Sequence, residues 1–124
     1  MLQIPPIKEE KISISIEGTT EGGTLTFTGD IDMADPSPIL DPLFEKVHSQ
    51  AVEGGAKLIQ LDFNQLHFLN SSGIKAIAKW IMRLATVSDE QKYTIRILHN
   101  EQITWQVTSL PTLTFLVPGS VVIR

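Results

Sequence analysis

The sequence predicts one α/β domain built on a mixed sheet, an antiparallel hairpin first and alternating helices and strands after it. Three observations carry this. Ile12–Ile16 and Thr24–Thr28 alternate apolar and polar residues with the period of two that a half-buried strand requires. Leu43 to Ala51 and Ile74 to Ala85 instead repeat their apolar residues every three or four positions, as helices with one buried face do. Leu58–Phe63 and Tyr93–Leu98 follow those helical stretches, are dense in apolar residues, and read as strands, the first of them buried. A strand pair followed by helix–strand units places helices against a sheet.

Taken in order, residues 1–10 with Pro5 and Pro6 read as an irregular leader, and residues 11–124 as a single domain. Gly18 to Gly23 holds three glycines and two threonines and reads as the hairpin turn. Asp35 to Pro42 contains three prolines and leads into the first helix. Ser37-Pro38 and Asp41-Pro42 both fit an N-cap followed by proline at the first helical position. Leu43, Phe44, Val47 and Ala51 form the helix's apolar stripe, and Gly54-Gly55 ends it. After Leu58–Phe63, a short connection from Asn64 to Asn70 leads to the second helix. Its apolar face holds Ile74, Ile77, Ala78, Ile81, Leu84 and Ala85. Glu101 to Leu110 reads as a short helix carrying Trp105 and closed by Pro111, and Val121–Ile123 as a last short strand.

Composition narrows the function. With 124 residues, 42% hydrophobic and 19% charged, the chain suffices for one buried core. A formal charge of -4 argues against sequence-independent binding to nucleic acid or to anionic membranes. The absence of cysteine excludes disulfides, thiol catalysis and thiolate metal sites. No apolar stretch approaches the roughly 20 residues of a membrane span. Met1 to Pro6 lacks the basic and apolar regions of a signal peptide, so a cytoplasmic protein is expected.

Chemistry-bearing motifs are sparse. Asp30, Asp32 and Asp35 lack the glycine and distal glutamate of a calcium loop. His48, His67 and His99 share no ligand spacing, so neither metal nor cofactor is expected. Ser71, His67 and Asp62 lack a nucleophile elbow, and no phosphate-binding glycine loop is present; the chain reads as non-enzymatic. Lys75, Lys79 and Arg83 recur every four residues on the second helix. They form either a solvated face or a docking surface for an acidic partner beside Ser71. Trp80 fits that surface or the border of the core, with the core favoured.

The most informative segment is Phe68-Leu69-Asn70-Ser71-Ser72-Gly73-Ile74. Asn70 or Ser71 can cap the helix by accepting a free backbone N–H, and Gly73 permits close backbone approach. Such a turn is either a good cap and nothing more, or a regulatory serine presented where a helix begins.

Three segments together resemble the STAS family, in particular bacterial anti-sigma-factor antagonists. They are Leu25-Thr26-Phe27-Thr28-Gly29-Asp30-Ile31-Asp32, then Ile59-Gln60-Leu61-Asp62-Phe63, then Leu66-His67-Phe68-Leu69-Asn70-Ser71-Ser72-Gly73-Ile74. The family pattern is a strand ending Gly-acidic-apolar-Asp, a helix, a buried strand, and Asp-Ser-Ser-Gly opening the next helix. The resemblance covers most of the chain, from Ile12 to Val117. It implies a STAS-like mixed sheet and a partner-binding regulator. In such antagonists a partner kinase phosphorylates the serine that matches Ser71. The unmodified form binds the kinase–anti-sigma protein and releases a sigma factor, and a phosphatase resets the system.

The implied partners are therefore a serine kinase of anti-sigma type and a phosphatase, not nucleic acid or membrane, acting on a monomer or weak dimer. Asp32 matches the aspartate that ends the first family signature. With Asn70, Ser71, Ser72, Gly73, Lys75 and Lys79 it makes up the expected partner surface. One residue departs from the pattern: Asn70 stands where the family has aspartate, keeping the capping oxygen but not the charge. Little chain follows Pro118 for the family's usual final helix. Two alternatives stay open, an interaction module that phosphorylation does not switch and a STAS domain that binds a small ligand or nucleotide.

Overall fold

In the computed structural model, which describes residues 1–124, the two alternating segments become β2 (Ile12–Gly18) and β3 (Gly22–Ile31). They pair antiparallel, with Ile14 opposite Phe27 and Ile16 opposite Leu25. Then follow α1 (Ser37–Gly54), β4 (Leu58–Leu69), α2 (Ser71–Arg83), β5 (Thr94–Leu98), α3 (Thr104–Ser109) and β6 (Val121–Ile123). With a short β1 (Ile7–Lys8), the sheet order is β1-β2-β3-β4-β5-β6, parallel from β3 to β6. The mixed α/β fold read from the sequence is the fold found.

Every parallel crossover steps in the same direction along the sheet. Right-handed connections then put the helices on one face and leave the other open. Side chains sort accordingly. Leu25, Phe27, Ile59, Leu61, Phe63, Ile95 and Ile97 point to the helices and are buried, whereas Thr24, Gln60 and Arg96 form a row across the open face. Arg96 Nε donates to Gln60 Oε1 there at 2.8 Å. No helix is long and apolar enough to cross a membrane.

One open choice is settled and three local readings are corrected. Of the two candidate starts of α1 the structure takes the first: the helix begins at Ser37, with Pro38 in its first turn, and Asp41-Pro42 lies within it. Asp35 Oδ1 accepts both Ser37 N (3.1 Å) and Ser37 Oγ (2.7 Å), and Pro36 O accepts Ile39 N and Leu40 N, so the helix starts one turn early. Pro42 costs one backbone bond on the exposed side. The supposed connection Asn64 to Asn70 is strand as far as Leu69. Asp62 lies opposite Thr26 but Gln65 opposite Thr28, an irregularity stapled by Asp62 Oδ1, which accepts the Asn64 backbone and side-chain N–H groups at 3.0 Å. The chain through Pro6 is irregular, yet Leu2 and Ile4 are buried and Ile7–Lys8 pairs with β2. The last α-helix starts at Thr104 rather than Glu101; it ends at Ser109 with Leu110 as its C-cap, just before Pro111, and the chain goes on as a 3₁₀ segment, Leu110–Phe115.

Trp80 belongs to the core, stacked on Phe44 with ring centroids 4.8 Å apart. Its Nε1 can only donate, and does so to the Tyr93 hydroxyl at 2.8 Å. The phenolic hydrogen is thereby left for His48 Nδ1, also at 2.8 Å, which fixes the neutral Nε2–H tautomer. Burial, aided by Arg83 and opposed by Glu45, holds His48 below the usual imidazole value, and burial raises the Tyr93 phenol. The unfolded chain protonates His48 near 6.5 while the folded chain resists. Stability that is complete above that value therefore falls as pH drops through it toward the lower folded value. The expected result is a lower urea midpoint at about pH 5.5 than at about pH 7.5, with the difference reduced in His48→Gln. An unchanged difference in that variant would remove His48 as its source.

Candidate functional site

The two central parallel strands end side by side, with Ile31 opposite Leu69, and their loops meet at the carboxyl edge of the sheet. Open α/β sheets place binding sites at this edge. Asn70 organises it. Its backbone N donates to Ile31 O at 3.1 Å, its Oδ1 accepts Gly73 N at 2.8 Å, and its Nδ2 donates to Met33 O at 2.7 Å. The residue thus caps α2 and clamps the loop after β3 to it. Asp32 lies between the two residues whose carbonyls Asn70 holds, and its carboxylate takes Lys11 Nζ at 2.9 Å. That pair holds the exposed Lys11 ammonium above the usual lysine value.

Of the two candidate caps, then, Asn70 does the work and Ser71 does not. Ser71 and Ser72 are exposed on the first turn, and neither hydroxyl has a partner within the protein. A Cβ at Gly73 would come within 2.2 Å of Leu69 Cδ1, so glycine lets α2 start directly against the end of β4. No acidic residue lies in the first turn of α2, so that helix start keeps its partial positive charge, whereas the start of α1 meets the Asp35 carboxylate.

The basic stripe on α2 divides. Lys79 pairs with Asp41 at 3.2 Å and Arg83 with Glu45, both across to α1 and both 38 residues apart in the chain. The two helices therefore run parallel and in step. The Arg83 guanidinium holds the Glu45 carboxyl below the usual range. Exposed pairs of this kind are screened by water and add little to stability. Lys75, one turn from Ser71, is exposed and makes no ion pair. The structure thus brings Asp32, Asn70, Ser71, Ser72 and Gly73 together, with Lys75 beside them, while Lys79 is tied to α1 further along.

One contributor escaped the sequence. The strand β5 ends at Leu98, opposite Asp62, so β4 from Asn64 onward has no strand on that side. Side chains replace it. The buried Gln106 donates Nε2 to Phe63 O (2.6 Å) and Leu66 O (3.0 Å) and accepts Asn100 N on Oε1 (2.7 Å). Asn100 Nδ2 reaches Asn64 O at 3.0 Å and Trp105 Nε1 reaches His67 O at 2.9 Å. Gln106 is fully buried and holds rigid the strand that delivers Asn70 and Ser71.

The clamp explains the departure at Asn70. A carboxylate has no hydrogen to give Met33 O and would face that carbonyl at close range. Asn70→Asp is expected to lose about 1–3 kcal/mol despite keeping the capping oxygen. Ser71→Ala should lie within about 0.5 kcal/mol of the parent. Urea unfolding of both variants checks this, and the reverse order would refute the assigned cap.

No family model matches the sequence, and no curated protein matches it either. Solved structures do match in fold. An anti-sigma factor antagonist from Mycobacterium paratuberculosis aligns over 90% of this chain and 85% of its own, with TM-score 0.61 and 20% identity. The unphosphorylated anti-sigma factor antagonist SpoIIAA aligns over 90% of this chain and 87% of its own, with TM-score 0.55 and 17% identity. A chain in the complex of the diguanylate cyclase SiaD with its activator SiaC from Pseudomonas aeruginosa aligns over 99% of this chain and 98% of its own, with TM-score 0.64 and 18% identity. The architecture of this chain is the STAS fold of the anti-sigma-factor antagonists.

Proposed function

We propose that the chain is a regulatory protein-binding module whose partner docks over the start of α2 and is displaced when Ser71 is phosphorylated. One observation carries this reading: an exposed, unbonded hydroxyl stands on a helix start that Asn70 and Gln106 hold rigid. Acceptance of a phosphate there needs no unfolding. The similar structures support it, since SpoIIAA is known in both unphosphorylated and phosphorylated forms. The partners in this reading are a serine kinase of anti-sigma type and a phosphatase, with Asp32, Ser72, Gly73 and Lys75 beside Ser71 in the docking surface.

Phosphate adds about -1.5 to -2 charge at a helix start, where the dipole stabilises it by roughly 0.3–1 kcal/mol. The fold tolerates that. Covering the same charge with a partner that does not neutralise it costs several kcal/mol. Mass spectrometry of the protein isolated from its own cells tests the assignment. Phosphate is expected on Ser71 in the parent and on no residue in Ser71→Ala. Phosphate on Ser72, or unchanged modification of Ser71→Ala, would reject Ser71.

A second reading draws on Asn70, which removes the charge that precedes the serine in the family pattern. In it the same surface binds a partner permanently and Ser71 is an ordinary contact. The likeness to a chain of the SiaD–SiaC complex supports a protein partner under either reading. A partner that binds the parent and Ser71→Glu equally would favour this second form.

A further inference from the structure

The bare face of the sheet holds a cleft near the amino ends of its parallel strands. Thr24 of β3, Leu58 and Gln60 of β4 and Arg96 of β5 line it, with Thr20 and Glu21 from the turn between β2 and β3. That turn is fixed through its backbone. Gly22 N donates to Thr19 Oγ1 at 3.1 Å, and Glu21 O accepts Lys57 N at 2.7 Å and Leu58 N at 3.1 Å. The cleft is therefore built in advance, and Leu58 is its one apolar wall.

Arg96 stands half-buried there without a counter-ion. Gln60 and Val122 flank it across the strands, and Thr94 and Leu98 share its face along β5, all of them uncharged. Asp62, on the adjacent strand, gives its Oδ1 to the Asn64 N–H groups, and no carboxylate of the chain pairs with Arg96. Gln60 Oε1 accepts Arg96 Nε, which uses the amide's acceptor and leaves Nε2, a donor only. Two Nη groups and Nε2 are then donors with no acceptor in the chain, a set that suits a carboxylate. The other charge lining the cleft is Glu21, exposed on the turn and likewise in no ion pair. Opposite charges that line one cleft without meeting leave a gap for a ligand that bears both.

We infer that this cleft binds a small zwitterion, its carboxylate on Arg96 and Gln60 and its ammonium on Glu21. The charges select that class. A chain of -4 opposes an unaccompanied anion, and Glu21 repels one at the site itself. A lone cation would meet Arg96 in the same way. A ligand with one charge of each sign and none in excess escapes both penalties. The cleft lies at the opposite end of the strands from Ser71, so the inference is independent of the Ser71 reading.

Titration of isotope-labelled protein, followed by NMR, tests it. The probes are glycine, β-alanine, γ-aminobutyrate and ε-aminocaproate, whose increasing length measures the gap, with acetate and methylammonium as controls. Two charge-assisted contacts suit a millimolar Kd, so a range up to about 50 mM suffices. At least one zwitterion should shift the amide signals of Thr20, Thr24, Gln60 and Arg96. It should bind at least about tenfold tighter than either control. Arg96→Gln and Glu21→Gln should each weaken it at least about tenfold. The Glu21 side chain bonds to nothing in the chain, so that variant folds even if Arg96→Gln does not. No response to any zwitterion overturns the inference, as does acetate binding as tightly as the best of them. So does Glu21→Gln, or a folded Arg96→Gln, that binds like the parent.

Discussion

Gln106→Leu is expected to destabilise the protein by about 3 kcal/mol or more, the largest loss from any single polar change. Leucine matches the volume of glutamine but makes no hydrogen bond. Three backbone groups lose their partner together: the carbonyls of Phe63 and Leu66 and the N–H of Asn100. Gln106 is fully buried, so solvent cannot substitute without opening the structure. Each buried group left unpaired costs about 1–3 kcal/mol, partly offset by the apolar surface that leucine adds. Urea unfolding measures the sum. A loss below about 1 kcal/mol would mean that water or a shifted loop replaces the amide, and the account of β4's free edge would fail.

The second large effect concerns binding. With the partner that the unmodified chain captures, Ser71→Glu is expected to weaken affinity at least about 100-fold, or 2.7 kcal/mol, while the urea midpoint barely moves. Full phosphorylation should do more, since turning a 99:1 complex into 1:99 takes about 5.5 kcal/mol. The separation of effects follows from position: the Ser71 hydroxyl bonds to nothing in the fold, so charge there acts on whatever covers it. Isothermal calorimetry with parent, Ser71→Ala and Ser71→Glu reads this directly. Ser71→Ala should bind like the parent. Equal affinity for all three would end the switch and leave the unswitched module.

How much could be read in advance depended on whether the signal was local. The strands β2 and β3 were legible because one face of the sheet is bare, so Ser13, Ser15, Thr24 and Thr26 alternate cleanly with buried neighbours. The second half of β4 was not. The irregularity at Asp62–Asn64 breaks the period of two, and Asn64 and Asn70 look like turn residues. The start of α1 was ambiguous because two dipeptides had the same capping chemistry, and the choice fell to Asp35. At the site, Asn70-Ser71-Ser72-Gly73 was visible as a helix start, and the family resemblance singled out Ser71. The amide of Asn70 reaching Met33, 37 residues away, and the role of Gln106 are tertiary facts that no spacing encodes.

The ionic rungs between α1 and α2 have a peculiarity. Because acids and bases both recur every four residues, sliding α2 by four residues, about 6 Å, would offer Asp41 to Lys75 and Glu45 to Lys79. Electrostatically the zipper fits equally well one notch away, so it cannot tell the native alignment from its neighbour. The indole decides. In the slipped alignment Ala76 would face Phe44 where Trp80 now lies, leaving a void where two rings now stack and a phenol without its donor. A single bulky side chain is thus the pin that indexes one helix against the other, and the charges hold whatever position it selects.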